Sequence, residues 1–154
     1  MKLYLVQHGK AASKEEDPER GLTPQGLEET RKAARFLAEL DLSVNKIWHS
    51  GKTRSRQTAE IFASALSQQP ELHEKEGLAP NDNPDDIAYL LRNTEHPVLI
   101  TGHLPFLSRL TGILLCGSPD KGCVAFRNSG VVCLERFEES GQWALIWAIV
   151  PGLL

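Results

Sequence analysis

Cysteine is scarce in this sequence. The three thiols, Cys116, Cys123 and Cys133, are odd in number and match no zinc-binding spacing. That argues against a disulfide framework or a structural metal site and is consistent with free thiols in a reducing compartment. Long apolar runs are also missing. The N-terminal run Leu3-Tyr4-Leu5-Val6 ends at Gln7-His8, too short for a secretory core, so no signal peptide is expected. Nothing approaches the length of a membrane span. Nor is there an excess of basic residues: 17 Lys and Arg against 20 Asp and Glu give a formal net charge of -3. A general nucleic-acid binder usually carries a basic excess, although a local basic pocket remains compatible with this balance. No internal repeat or low-complexity tract appears. With 41% hydrophobic and 24% charged residues, the chain is expected to form one soluble cytoplasmic domain spanning 1–154, without nucleic-acid or membrane partners.

Strands and helices alternate along the chain. Leu3 to Val6 reads as a buried strand running into His8-Gly9, and 10–21 as a charged loop containing Pro18. Thr23 is a candidate helix cap with Pro24 at the first helical position, and Leu27, Ala34, Leu37, Ala38 and Leu40 continue at helical spacing to Asp41. A strand is predicted over 44–49 and a helix over 53–66, with Ala59, Ile61, Phe62, Ala65 and Leu66 as its apolar stripe. The stretch 70–86 reads as an irregular loop, 85–92 as a short helix, 97–101 as a strand and the segment to Leu115 as a helix. Three strands are expected at 124–127, 130–137 and 143–150, separated by the turn signals Asn128-Ser129-Gly130 and Ser140-Gly141. This order predicts a layered α/β domain whose sheet is partly antiparallel.

Two histidines share a local context. His8 follows an apolar strand and precedes Gly9; His103 follows another, between Gly102 and a helix opened by Leu104-Pro105. Residues just beyond strand C-termini line the functional crevice of an α/β sheet. The two imidazoles therefore either meet in one cleft or are unrelated rings satisfying local hydrogen bonds. Arg54 falls at the start of the helix after the second strand, where free backbone N–H groups favour an anion and a guanidinium offers a fork to phosphate oxygens. Read alone, Lys52, Arg54 and Arg56 are equally a solvated basic helix face.

Four segments, in order, resemble the histidine phosphatase superfamily, and within it the small SixA-like phosphohistidine phosphatase branch. Gln7-His8-Gly9 is similar to the family's Arg-His-Gly, and Arg20-Gly21-Leu22-Thr23-Pro24-Gln25-Gly26 to its Arg-Pro-Leu-Thr-x-x-Gly. Ser50 through Arg54 to Gln57-Thr58 is similar to Ser-x-x-x-Arg-x-x-Gln-Thr, and Gly102-His103-Leu104-Pro105 to Ser-His-x-Pro. The resemblance spans nearly the whole chain. It implies a phosphoglycerate mutase-like fold, a three-layer α/β/α sandwich around a mostly parallel mixed sheet. It also implies a phosphatase with His8 as nucleophile, Arg54 and His103 as catalytic groups, and Gln7, Arg20, Arg54 and His103 around the phosphate. No metal or other cofactor is expected.

Two positions depart from the pattern. Gln7 stands where the family has arginine, which removes a charge-assisted hydrogen bond worth about 1.5–3 kcal/mol. Lys10 stands where an acidic residue is common and is a possible compensating charge, although it lacks the bidentate fork. Glu76 and Asp82 lie where a general acid would be sought, without a clear match. The implied substrate is a protein-borne phosphohistidine or a comparable small phosphorylated compound. Two alternatives remain open: a catalytically weak module that binds phosphate or phosphoprotein, and a small-molecule phosphatase of the same superfamily. A metal hydrolase built on His8 and His103 lacks the further ligands such a site requires.

Overall fold

A computed structural model describes residues 1–154. Its centre is a six-stranded sheet built from β1 (Lys2–Gln7), β2 (Lys46–His49), β3 (Glu71–Glu74), β4 (Val98–Gly102), β5 (Val131–Arg136) and β6 (Trp143–Ile149). The spatial order is β3-β2-β4-β1-β5-β6. The pairs β3·β2, β2·β4 and β4·β1 are parallel, whereas β1·β5 and β5·β6 are antiparallel.

Helices α1 (Pro24–Glu39) and α2 (Thr53–Ala65) cover one face of the sheet; α3 (Asp85–Arg92) and α4 (Phe106–Cys116) cover the other. This explains why β1 reads as an unbroken apolar run: both faces are buried. Tyr4 and Val6 pack with Ala33, Leu37 and Phe62 under α1 and α2. Leu3 and Leu5 pack with Leu91, Phe106 and Leu110 under α3 and α4. The result is the expected three-layer α/β/α sandwich.

The helix starts follow the local chemistry. Thr23 caps α1 by accepting the Gly26 amide at 3.0 Å, and Pro24 enters the first turn, where a missing N–H costs nothing. Gly26 is required by close approach: a Cβ there would lie 2.2 Å from the carbonyl oxygen of Lys10. This glycine lets the loop after β1 lie directly on the helix.

Two expectations are corrected. Glu71–Glu74, placed in an irregular loop, is an edge strand parallel to β2. Its Glu-Leu-His-Glu sequence carries no buried residue, because it lies at the margin of the sheet and its value is in backbone pairing. Conversely, 124–127 forms no strand. Phe126 is buried in the α3/α4 core and Val124 packs against it, so these apolar residues anchor a loop.

The apolar stripes of α1 and α2 are also wider than the core they serve. Ala34, Leu37, Ala59 and Phe62 are buried, but Leu27, Ile61 and Ala65 are only partly covered and Leu40 is exposed. No helix is long and apolar enough to cross a membrane.

Candidate functional site

Strand pairing puts the two histidines together. β1 and β4 are parallel, with Gln7 opposite Gly102, so His8 and His103 are the next residues off adjacent strands. From β1 the chain leaves toward α1 on one face; from β4 it leaves toward α4 on the other. Such a divergence opens a crevice at the strand C-termini. The imidazole centroids lie 5.0 Å apart, with the rings tilted by 57°.

His8 is fixed on several sides. Its amide donates to the Gly102 carbonyl at 3.0 Å, continuing the β1·β4 ladder, and its carbonyl accepts the Asn128 side-chain amide at 2.8 Å. Ring Nδ1 lies 2.8 Å from the Gly9 carbonyl, which accepts only a hydrogen bond, so Nδ1 carries the proton. Nε2 then bears the lone pair, and the Nε–H of Arg54 donates toward it at 3.3 Å. The next residue is held as well: the Gly9 amide donates to Thr58 Oγ1 at 3.0 Å, and that hydroxyl donates to the Arg54 carbonyl at 2.7 Å.

His103 is 1% exposed. Its Nε2 lies 2.6 Å from Ser50 Oγ, which also accepts the Lys52 amide at 3.4 Å. The Ser50 hydroxyl donates to Nε2 or accepts from it according to the ring tautomer, and Nδ1 is a buried ring nitrogen with no partner in the protein. Gln7, at the end of β1, likewise has a buried amide oxygen without a donor.

Positive charge gathers here, and the nearby Glu19 carboxylate accepts the Thr53 hydroxyl at 3.3 Å and pairs with neither arginine. Arg20 adopts a left-handed backbone (φ 52°) and its Nε donates to the Ala12 carbonyl at 3.2 Å. Its loop is tied to α2, where Gln57 Oε1 accepts the Leu22 amide at 2.7 Å. Neither Arg20 nor Arg54 lies within 4 Å of a carboxylate; the chain's two ion pairs are Arg56–Glu60 and His73–Glu71. Burial, and then Arg20, push the Arg54 guanidinium below its usual value. Helix α2 is also capped by Lys52 without a side-chain hydrogen bond, which leaves the Thr53 and Arg54 N–H groups free for an anion, while the Ser55 amide donates to the Lys52 carbonyl at 2.9 Å.

The same surroundings keep both imidazoles neutral. Burial pushes His8 down from 6.5 to about 4; the bond to Gly9 opposes this, and Arg54 and Arg20 add to it. His103 falls to about 3, chiefly through burial, then through His8, Arg54, Lys52 and Arg20. A neutral His8 offers an Nε2 lone pair at physiological pH.

Of the residues singled out from sequence, His8, Arg20, Arg54 and His103 converge on this crevice. Lys10 does not point inward: its exposed ammonium donates to Gln25 Oε1 at 3.1 Å. Asp82 accepts the Ala79 amide at 2.9 Å and so shapes its own turn. No group of three or more potential metal ligands exists in the chain. Ser50, Thr58 and Asn128 were not read from sequence as site residues. Ser50 and Asn128 look like turn formers, and only the fold brings them to His103 and His8.

Two outcomes follow. Acylation of His8 by diethyl pyrocarbonate, which needs the neutral ring, should proceed at pH 5 within about twofold of its rate at pH 8, whereas a ring with the ordinary value would slow about 30-fold. Peptide mapping by mass spectrometry reads the rate at this one ring. Ser50→Ala should weaken inorganic phosphate binding about 2- to 10-fold by removing the hydrogen bond that holds the His103 ring, while Ser50→Thr, which keeps the hydroxyl, should restore it. Calorimetric titration reads both.

The comparisons agree with this geometry. Residues 3–79 match the sequence profile of the histidine phosphatase superfamily (branch 1). An uncharacterised protein from Picosynechococcus sp. is 37% identical over 115 residues, covering 70% of this chain and 68% of its own. The phosphohistidine phosphatase SixA of Escherichia coli is 26% identical over 156 residues, covering 98% of this chain and 94% of its own. A solved structure of the protein histidine phosphatase SixA complexed with tungstate shares the fold, with a TM-score of 0.86, 24% identity and 99% of each chain covered. With its two facing histidines, unpaired arginines and SixA-like sandwich, the chain is a phosphatase that belongs to the histidine phosphatase superfamily.

Proposed function

We propose that this phosphatase hydrolyses phosphohistidine carried on a protein, through a phosphoryl intermediate on Nε2 of His8. The observation that carries the reading is the His8 ring held at Nδ1 by Gly9, with Nε2 facing the Arg54 guanidinium, which has no carboxylate partner.

In this scheme a phosphoryl group enters the crevice and its equatorial oxygens draw the N–H groups of Arg54 away from the His8 ring. The freed Nε2 lone pair attacks phosphorus. The bond from phosphorus to the substrate nitrogen breaks, and the departing imidazole takes a proton from solvent. Arg20, Arg54 and the His103 ring stabilise the charge on the transferring group. Water then attacks the phosphorus on His8, releasing inorganic phosphate and returning the neutral ring. A phosphohistidine substrate lessens the need for a general acid, because its leaving group departs without a strong one. An imidazole is such a group; an alkoxide is not. The cytoplasm suits this role, since all three cysteines are unpaired.

Gln7 marks where this site is weaker than the family pattern. Its buried amide oxygen lacks a donor, and Lys10 is engaged at the rim with Gln25, so neither supplies the missing charge. The site therefore turns over below the rate that an arginine at this position would permit.

The test compares phosphohistidine, phosphoserine and phosphoglycerate substrates in the parent and in Gln7→Arg. Phosphohistidine should give the highest kcat/KM. Gln7→Arg should raise it about 5- to 100-fold, corresponding to ~1–3 kcal/mol of added transition-state stabilisation, while Lys10→Ala leaves it nearly unchanged. Preferential turnover of phosphoglycerate would favour the small-molecule phosphatase. Binding without turnover on any donor, unrescued by Gln7→Arg, would favour the binding module.

A further inference from the structure

The partly covered residues of α1 and α2 form a second feature, which the chemistry at His8 does not use. Leu27 from α1, with Ile61 and Ala65 from α2 and the buried Ala34 beneath them, floor a groove of about 510 Å³ between the two helices. Leu27, Ile61 and Ala65 belong to the apolar stripes but are only partly covered by the core. Arg31 and Arg35 stand on the α1 wall, exposed and beyond 4 Å of any carboxylate. The facing Glu60 is already paired with Arg56 at 3.7 Å. The groove thus combines an apolar floor with two unneutralised guanidiniums one helical turn apart, in a chain whose net charge is -3.

Its position relates it to the phosphate site. Arg54, Gln57, Ile61 and Ser64 follow one another along one side of α2, and the last three line the groove. Gln57 closes the near end and also holds the Arg20 loop through Leu22. At 1.5 Å per residue, the groove extends from ~5 to ~15 Å beyond Arg54 along the helix. A polypeptide reaching from a phosphohistidine at His8 needs only about four to six residues to enter it.

We infer that this groove is a docking site for the phosphoprotein substrate and takes an amphipathic helix bearing two carboxylates one turn apart beside an aliphatic side chain. The aliphatic group covers Leu27, Ile61 and Ala65. The carboxylates, ~6 Å apart on a helix, match Arg31 and Arg35 at the same i, i+4 spacing. The inference rests on the phosphohistidine reading for the identity of the partner, but not for the existence of the groove. Two consequences follow: specificity comes partly from sequence flanking the phosphohistidine, and small phosphoryl donors bypass it.

The experiment uses a phosphohistidine peptide joined by a five-residue spacer to a helix-forming Glu-x-x-Leu-Glu segment, placed on either side. A control peptide replaces each glutamate with lysine. In the parent, one placement of the acidic peptide should show kcat/KM about tenfold above its control. In Arg31→Glu/Arg35→Glu that advantage should vanish, while turnover of phosphoramidate stays within twofold. Equal rates for acidic and control peptides, or an advantage that survives in the double variant, would overturn the docking site. Fluorescence titration with the unphosphorylated acidic peptide separates the two claims. Binding at least tenfold weaker in the double variant upholds the groove even if phosphohistidine is not turned over; equal binding to both proteins sinks it whatever the substrate.

Discussion

Parallel pairing of β1 with β4 is the constraint on which the site depends. The register that sets Gln7 against Gly102 delivers His8 and His103 to neighbouring strand ends, and the ladder continues one residue further through the His8 amide. Because both strands are buried on both faces, a slip in register would move whole apolar sets between the α1/α2 and α3/α4 cores. The histidine geometry is therefore held by the same burial that holds the fold. Only the final aim of each ring is left to local hydrogen bonds: Gly9 for His8 and Ser50 for His103.

Electrostatic tension is the second element. Two guanidiniums and two imidazoles share one crevice, with no carboxylate in ion-pair contact with either arginine. Burial first, and the neighbouring positive charges after it, depress the affinity for protons at His8, His103 and Arg54. A phosphoryl group relieves that tension. The positive charges that attract the anion add to burial in keeping His8 unprotonated. Gln7 moderates the field at the end of β1.

The sequence was most legible where chemistry and periodicity coincide. Thr23-Pro24 marked a helix start, Leu3 to Val6 a strand buried on both faces, and the matched contexts of His8 and His103 suggested a shared crevice. Glu71–Glu74 was missed because an edge strand needs backbone partners and not buried side chains. Val124 and Phe126 misled because apolar residues anchoring a loop look locally like a strand. Ser50 and Thr58 fall in a motif whose pattern does not tell their roles, and Asn128 in none, since each acts on a residue distant in sequence: Ser50 on His103, Thr58 on Gly9 and Asn128 on His8. The stripes containing Leu27 and Ile61 announced amphipathic helices, but not that the core would leave those two residues partly uncovered.

One atom, the Nε2 of His8, carries the proposed chemistry, and trapping the intermediate tests its role most directly. Protein mixed with a radiolabelled phosphoryl donor and quenched within milliseconds should yield an acid-labile, base-stable phosphoprotein. Mapping should place the label on His8, and the isomer should be the Nε2 phosphoramidate, because Nδ1 is committed to the Gly9 carbonyl. Label on His103 or another residue, or on Nδ1 of His8, would contradict the account.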